Sequence, residues 1–393
     1  MKSEWEYRRL GELVSFSSGG TPSKKRIDYW NGDIPWISAK TLKSEKITTS
    51  DLFITTSGLS SGSKIAPKGS ILLLTRGSGL FNDLPIGMVE SEVAFNQDIK
   101  CLNSYGEIEN EFVFYWLQSQ KKYLMAKVDV TGIGAGKFDL DFLQELQVPF
   151  PDKKVREKII AIATAISEKI EANKKINDNL YAQAKAIFSN YFINIDTIPS
   201  GWERGNLLDI ASYLNGLAMQ KFRPAERETG LPVLKIKELR QGFCDADSEL
   251  CSPSIKSEYI IKDGDVVFSW SGSLLVDIWC GGTCGLNQHL FKVTSKVYDK
   301  WFYYLWTVHH LDRFIAIAAD KATTMGHIKR EELAKAEVLI PSDIDYQNIG
   351  SIMNPIFDLI ISNRIESSRL AKLRDELLPK LMSGEIDVSN IRL

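Results

Sequence analysis

Between residues 153 and 192 the apolar and small positions fall into two interleaved rows. Ile159, Ile166, Leu180 and Ile187 form one, and Ala163, Ile170, Ala184 and Tyr191 form the other. Steps of three and four residues predict a long helix with a coiled-coil seam. No Gly or Pro interrupts the stretch from Lys153 to Phe192, and Lys, Glu, Asn and Gln fill its remaining faces. A second such stretch runs from about Tyr346 to Met382. A shift of 190 residues lays Ile159 on Ile349, Ile166 on Ile356, Ile170 on Ile360 and Leu180 on Leu370, with Asn173 on Asn363 and Lys174 on Arg364. Two long helices with matching seams in one chain bury those seams against each other. At about 1.5 Å per residue, a helix of roughly 39 residues spans about 58 Å. Asn173 and Asn363 interrupt the seam at equivalent places. Mutual hydrogen bonding there would fix the helix register, and two solvated residues near the seam edge are the plainer alternative.

The flanking segments repeat as well. Trp5, Leu10, Glu12, Leu13, Ser15, Phe16 and Gly19 match Trp202, Leu207, Asp209, Ile210, Ser212, Tyr213 and Gly216 at an offset of 197 residues. Pro35, Lys40 and Leu42 fall on Pro232, Lys237 and Leu239. Farther on, the turn at Lys68-Gly69 faces Asp263-Gly264, Gly77 faces Gly272, and Asn96-Gln97 faces Asn287-Gln288. Gly136, Phe138, Leu143, Val148 and Pro151 then fall on Gly326, Ile328, Leu333, Val338 and Pro341. Order is kept while the offset drifts from 197 to 190, as expected of a duplication with loop insertions and deletions. Short apolar runs after Gly turns, Ile71–Thr75 and Val266–Trp270, read as strands. Amphipathic helices are expected over 111–128 and 299–319. A short strand and a proline then close each segment ahead of its long helix. The expected class is α+β, with globules at 1–151 and 195–341 and long helices at 152–194 and 342–393. Folded as an antiparallel pair, the helices would relate the globules by a pseudo-two-fold axis.

Composition narrows the function only a little. An apolar content of 44% and a charged content of 25% are ordinary for a globular protein. No signal-peptide core and no 18-residue apolar run is present, which points to the cytoplasm and away from a membrane. Five cysteines are too few for a disulfide framework. A net charge of −2 gives no global support for nucleic-acid binding, so any such role rests on local basic patches.

The alternation of globule and repeated helix resembles the specificity subunit of a type I restriction-modification system. The local strings that carry the resemblance are Gly20-Thr21-Pro22-Ser23, the run from Tyr29 to Ile37, and the closing run from Leu377 to Ile386. It covers essentially the whole chain and is strongest in the helices and globule borders. The resemblance implies two target-recognition domains, each reading half of a split, asymmetric sequence in double-stranded DNA. It implies helices that set the spacer and dock two methyltransferase subunits, with restriction subunits joining the assembly. It implies no catalysis and no cofactor in this chain, S-adenosylmethionine and ATP with Mg being expected on the partner subunits. A self-contained DNA methyltransferase and a coiled-coil adaptor that binds only proteins are the competing readings.

On that reading, basic residues at loop positions are the candidate DNA contacts, since Lys and Arg neutralise phosphates and Arg also bonds guanine edges. In the first globule these are Lys24, Lys25, Arg26, Lys40, Arg76 and Lys137. In the second they are Lys221, Arg223, Lys235, Lys237, Arg240 and Lys329, the last beside Arg330. For each, a solvated surface charge is the plainer alternative. Lys40 and Lys237 are equivalent in the repeat, whereas Arg76 faces Ser271 and so suits reading of one half only. Trp270 is placed to stack at a base step or, more simply, to pack in a core.

Several near-motifs fall short. Gly132–Phe138 has Thr131 where a phosphate loop needs Gly and Phe138 where it needs Ser or Thr, and reads as a flexible loop. Asn354-Pro355-Ile356-Phe357 departs from the amino-methyltransferase box at Ile356 and lies in the helical repeat. Cys244, Cys251, Cys280, Cys284 and His289 fit no standard zinc spacing, and the cysteines read as buried thiols. His309 and His310, as helix neighbours, point apart.

Overall fold

The computed structural model describes residues 5–132, 134–320 and 328–391. Gly326, matched to Gly136 in the repeat, lies outside the described residues. The chain divides into two compact units, one comprising residues 1–167 and 371–393 and the other residues 168–370. Both contain a mixed globule and part of each long helix, Lys153–Phe188 and Asp343–Met382. The architecture is α+β and repeated in tandem.

In the first unit, the strand Glu6–Arg9 pairs antiparallel with Gln147–Phe150, Glu6 opposite Phe150. The central helix leaves three residues later. Its start is pinned by Arg156, which is 5% exposed and donates to the Glu109 carboxylate at 2.6 Å and the Pro151 carbonyl at 2.7 Å. The Arg156 guanidinium also lies 4.8 Å from the centre of the Phe150 ring. One sheet runs in the order Val14–Ser18, Ile99–Ser104, Ile71–Leu74, Ile86–Val89, Lys46–Ile47. A second runs Phe53–Ile54, Trp30–Ile37, Val93–Phe95, Lys64–Ala66. All four residues of Ile71–Leu74 are buried, because helix Asn110–Ser119 covers the sheet with a continuous buried run from Phe112 to Leu117. The helix expected over 111–128 is broken at Gln120 into Asn110–Ser119 and Lys121–Met125. Ile159 and Ala163 of the central helix join this core, as do Leu378, Leu381 and Met382 of the C-terminal one.

The second unit repeats most of these ladders in the same register, but its counterpart of the five-stranded sheet has four strands, with none in the place of Lys46–Ile47. Glu203–Asn206 pairs with Glu337–Ile340, Glu203 opposite Ile340. The parallel pairing of Trp36 with Ala94 recurs as Val233 with Gly285. Helix Lys300–His309 supplies the cover, buried from Trp301 to Thr307. The expected helix over 299–319 is likewise split at His310, its second part being Leu311–Asp320.

Within this unit the two long helices run antiparallel: Lys169 pairs with Glu366 at 3.2 Å, and Asn177 donates to the Ile360 carbonyl at 3.2 Å. Asn173 and Asn363 are both buried in the seam. Their side chains do not bond each other. Asn173 Nδ2 donates to Glu366 at 2.7 Å and Ser367 at 3.3 Å, and reaches the Asn363 backbone carbonyl at 3.5 Å. Asn363 Nδ2 donates instead to Asn177 Oδ1 at 3.0 Å. Antiparallel packing offsets the two amides by a turn, so each finds a partner one turn away. Arg364 makes a two-pronged bond to Asp277 at 2.7 and 2.8 Å, tying the C-terminal helix to the globule. Burial opposes its charge, but the Asp277 carboxylate outweighs that and holds the guanidinium above its usual range.

Two local expectations change. Tyr191, expected in the seam, is 42% exposed, while Phe192 is 3% exposed. The reason is a π-helical turn over Ser189–Ile193. Its wider hydrogen-bond spacing shifts the phase of the helix by a residue and turns Phe192 inward. There its ring centre lies 5.3 Å from Trp202, 5.7 Å from Phe302 and 5.8 Å from Trp306. His309 and His310 do not point apart either. His310 stands past the helix end, and the two rings meet edge to face at 5.0 Å. Burial holds both imidazoles below their usual range, and the Glu337 carbonyl, accepting from His310 Nε2 at 2.8 Å, offsets this only in part.

Cys101, Cys251, Cys280 and Cys284 are buried, whereas Cys244, expected to be buried too, is half-buried; all five are free thiols. Asn354 donates to Asp299 at 3.1 Å and Phe357 packs on Tyr304 at 5.8 Å, so the near-methyltransferase string holds the helix to its globule. Among the described residues no helix is long and apolar enough to cross a membrane.

Phe192→Ala is expected to destabilise the second unit by about 3–5 kcal/mol, whereas Tyr191→Ala stays within about 0.5 kcal/mol; urea midpoints followed by Trp fluorescence measure both. The lowered histidine pKa values also set a sign. The unfolded state takes up protons as pH falls below about 6.5, while the folded state resists them. Stability is therefore full above that pH and declines as pH drops towards the folded values. Thermal melts between pH 7 and 5 should show this decline, and His309→Gln with His310→Gln should flatten it.

Candidate nucleic-acid interface

In both globules the loops that follow a parallel strand pair converge at one edge. In the first, Trp30–Ile37 and Val93–Phe95 end together. The chain then turns at Ser38–Thr41, closed by Thr41 N–H to the Ser38 carbonyl at 3.0 Å and Ser38 N–H to Thr41 Oγ1 at 2.8 Å. Lys40 is exposed on that turn. The other strand continues into Asn96-Gln97-Asp98. The Asp98 carbonyl accepts from the backbone N–H groups of Thr75 and Arg76 at 2.8 and 3.2 Å, which brings in the end of the Ile71–Leu74 strand. A Cβ built on Gly77 would lie 3.8 Å from Ala39, so the Lys40 turn adjoins the Arg76 segment.

Lys137 arrives from far along the chain. Gly136–Lys137 is a strand, paired with Arg76–Gly77 so that Lys137 stands opposite Arg76. The segment expected to be a flexible loop is thus the outgoing arm of a β-hairpin, its turn closed by Thr131 N–H to the Ala135 carbonyl at 2.7 Å. Ile133 within it lies outside the described residues. The structure therefore gathers Lys40, Arg76 and Lys137, with Gln97 on the adjoining loop. Thr21 donates to Gln97 at 2.7 Å and tethers the turn carrying Lys24, Lys25 and Arg26, all exposed. Arg26 forms a two-pronged bond with Asp28 at 2.8 and 2.9 Å, which raises its own pKa and lowers that of the carboxylate.

The second globule uses the same backbone plan with different side chains. After Leu231–Leu234 a short helix, Ile236–Gln241, replaces the turn and carries Lys237 and Arg240. A Cβ built on Gly272 would lie 3.7 Å from Ile236, repeating the contact of Gly77 with Ala39. Ser271, equivalent to Arg76, lies 3.0 Å from His289 Nδ1. Ile328 N–H donates to the Trp270 carbonyl at 3.1 Å, as Phe138 does to Thr75 at 2.9 Å, and sets the exposed Lys329 at the same edge. Trp270 packs on Phe291, ring centres 5.6 Å apart, and donates to Asn215 at 3.0 Å.

Charge distinguishes the two edges. Among the described residues Lys40, Arg76 and Lys137 have no ion-pair partner. In the second globule Lys237 pairs with Asp245 at 3.0 Å and holds that carboxyl down at about 2. Lys235 and Arg223 share Glu249 at 2.9 and 3.5 Å, and Lys235 lowers the pKa of that carboxylate. Lys221 is exposed on the turn Met219–Lys221. Gln97, Asp129, Ser271 and His289 also stand at these edges, and positive charge in the sequence does not point to them. The repeated Asn-Gln pair was the available signal for the edge around Gln97 and His289. Both edges offer donors, acceptors and positive charge, the chemistry of phosphate and base-edge contact. Among the described residues no three His, Cys, Asp or Glu side chains gather to hold a metal.

Known proteins share this organisation. The family described as the type I restriction modification DNA specificity domain matches residues 2–182 and again 199–372. The MjaIX specificity subunit of a type I restriction enzyme from Methanocaldococcus jannaschii is 26% identical, over 99% of this chain and 95% of that protein. The EcoKI specificity subunit of Escherichia coli K12 is 23% identical, over 97% and 89%. The EcoR124I/EcoR124II specificity subunit of Escherichia coli reaches 30%, over 41% of this chain and 40% of that one. A crystal structure of the S subunit of a type I system from M. genitalium has the same fold, with a TM-score of 0.57 at 15% identity over 98% of this chain and 97% of that one. The chain thus belongs to the type I restriction-modification DNA specificity family, with one family domain in each half.

Proposed function

We propose that this chain reads a split, asymmetric sequence in double-stranded DNA on behalf of catalytic partners. Each globule recognises one half. The observation that carries the reading is that the family domain matches twice, once over each globule with its helix. The shared backbone plan of the two edges supports two readers of one kind, and their different side chains support two different half-sites. In this reading Lys24, Lys25, Arg26, Lys40, Arg76 and Lys137 serve one half, and Lys221, Arg223, Lys235, Lys237, Arg240 and Lys329 the other.

The long helices act as a spacer and as the docking surface for two methyltransferase subunits and for restriction subunits. Asn173 and Asn363 fix the helix register, since the buried Nδ2 group of each finds its acceptors on the facing helix. Chemistry belongs to the partners, which bring S-adenosylmethionine and ATP with Mg, and the assembly works in the cytoplasm beside the chromosome. The second globule must release Lys237, Lys235 and Arg223 from their carboxylates as DNA arrives.

The test is genome-wide mapping of methylated adenine in cells carrying the cognate methyltransferase, with and without this chain. A motif of two short blocks around a fixed spacer is the expected result. No motif from an assembled complex would favour a protein-only adaptor, and S-adenosylmethionine binding by the chain alone would favour a methyltransferase. Inserting four residues in the Lys153–Phe188 helix should alter the spacer and leave both half-sites intact; an altered half-site would contradict the spacer role. Asp245→Asn should free Lys237, raise affinity for duplex DNA at low salt and steepen the salt dependence by about one unit of log–log slope, measured by fluorescence anisotropy on the assembled complex.

A further inference from the structure

The first globule contains a small three-stranded sheet besides its two large ones and the two-stranded closing ladder. Its strands, in order, are Asp129–Val130, Gly136–Lys137 and Arg76–Gly77. Asp129 stands opposite Lys137, and Lys137 opposite Arg76. Directly opposed residues share a face, so the three charged side chains form one row. Strands lie about 4.8 Å apart, which sets the ends of the row about 10 Å from each other. All three side chains are exposed, and among the described residues none makes a hydrogen bond or ion pair.

The row has a firm base. Phe138 is buried and its N–H bonds the Thr75 carbonyl, while Thr75 Oγ1 bonds the Asp98 carbonyl at 3.0 Å. Leu80 is buried beneath, and a Cβ on Gly136 would come within 3.1 Å of it. The flanks are open. Cβ atoms built on Gly79, Gly132 and Gly134 would meet nothing within 4 Å, and Gly77 has a φ of 144°, which favours glycine. The hairpin Asp129–Val130 with Gly136–Lys137 is a two-stranded ribbon of the kind the major groove admits, and Arg76 lies on the strand beside it.

The order of charge decides what the row meets. A carboxylate at one end repels phosphate, so this is no simple phosphate clamp. Arg presents a fork to guanine O6 and N7, and a carboxylate accepts from cytosine N4. With base steps of about 3.4 Å, 10 Å covers about three. We propose that this ribbon reads the major groove of the half-site belonging to the first globule. Arg76 contacts a guanine and Asp129 a cytosine about three base steps away, with Lys137 between them. The inference rests on the reading of this globule as a DNA reader.

The experiment uses the full chain with its methyltransferase partner. Motifs are mapped for the wild type and for Arg76→Lys, which keeps the charge and loses the fork, and Asp129→Asn, which turns an acceptor into an adenine-type reader. Each variant should relax or change one position of the first half-site, the two positions lying two to four base pairs apart, with the second half-site unchanged. Binding to the wild-type duplex should fall about 5- to 150-fold for each, the range of one good base contact. Uniform weakening on all duplexes, or an intact first half-site, overturns the inference. Unchanged thermal melts of both exposed-site variants separate loss of reading from loss of fold. Absence of a split motif in the wild type would instead overturn the functional reading beneath it.

Discussion

Each globule depends on a short ladder of main-chain hydrogen bonds between its first strand and its last. Glu6–Arg9 with Gln147–Phe150, and Glu203–Asn206 with Glu337–Ile340, close the two globules in the same register. The long helices begin at Lys153 and Asp343, just beyond that closure. The direction in which each helix leaves its own globule is therefore set at the ladder. Side chains lock it in different ways. The first globule uses the buried Arg156 against Glu109 and Phe150. The second uses Trp202, which donates to Asp345 at 2.8 Å, with Ser342 completing the bond network. Burying an Arg is stabilising only while its partners remain, whereas the Trp pairing is tolerant of solvent, so the two joints differ in chemistry while agreeing in geometry.

The same separation between backbone plan and side-chain content runs through the candidate edges. Parallel strand pairs, glycines at 77 and 272, and the closing bonds of Phe138 and Ile328 recur. The charged side chains mounted on them recur only in part: Lys40 has its equivalent in Lys237, whereas Arg76 faces Ser271. The first edge presents unpaired cations, while carboxylates hold three cations of the second globule. This explains how a chain of net charge −2 carries local positive surfaces.

Periodicity made the long helices legible, because a seam repeats locally and needs no knowledge of distant residues. The duplication was legible for a similar reason, being a comparison of the chain with itself. Tyr191 and Phe192 mark where that reasoning stops. A single π-turn changes the phase, and nothing in the spacing of apolar residues announces it. The partnership of Arg76 with Lys137 was hidden too, since sixty-one residues separate them and only strand pairing joins them. Lys40 and Lys237 stood out because both copies keep a lysine, yet Asp245, which engages one of them, has no counterpart to compare. Positive charge in the sequence does not point to Asp129, although base edges include donors as well as acceptors.

The closing ladder has one more consequence. Its bonds run between peptide groups, which every residue except proline carries in full. Such a joint asks little of the side chains it unites, and even Pro149 stands in it, opposite Tyr7. A lineage can therefore rewrite a globule's interior and its exposed edge, and the chain will still begin and end that globule at the same place. Inheritance of the frame is decoupled from inheritance of the contents, which is the condition under which new recognition can arise by exchange of whole globules rather than by slow adjustment of one.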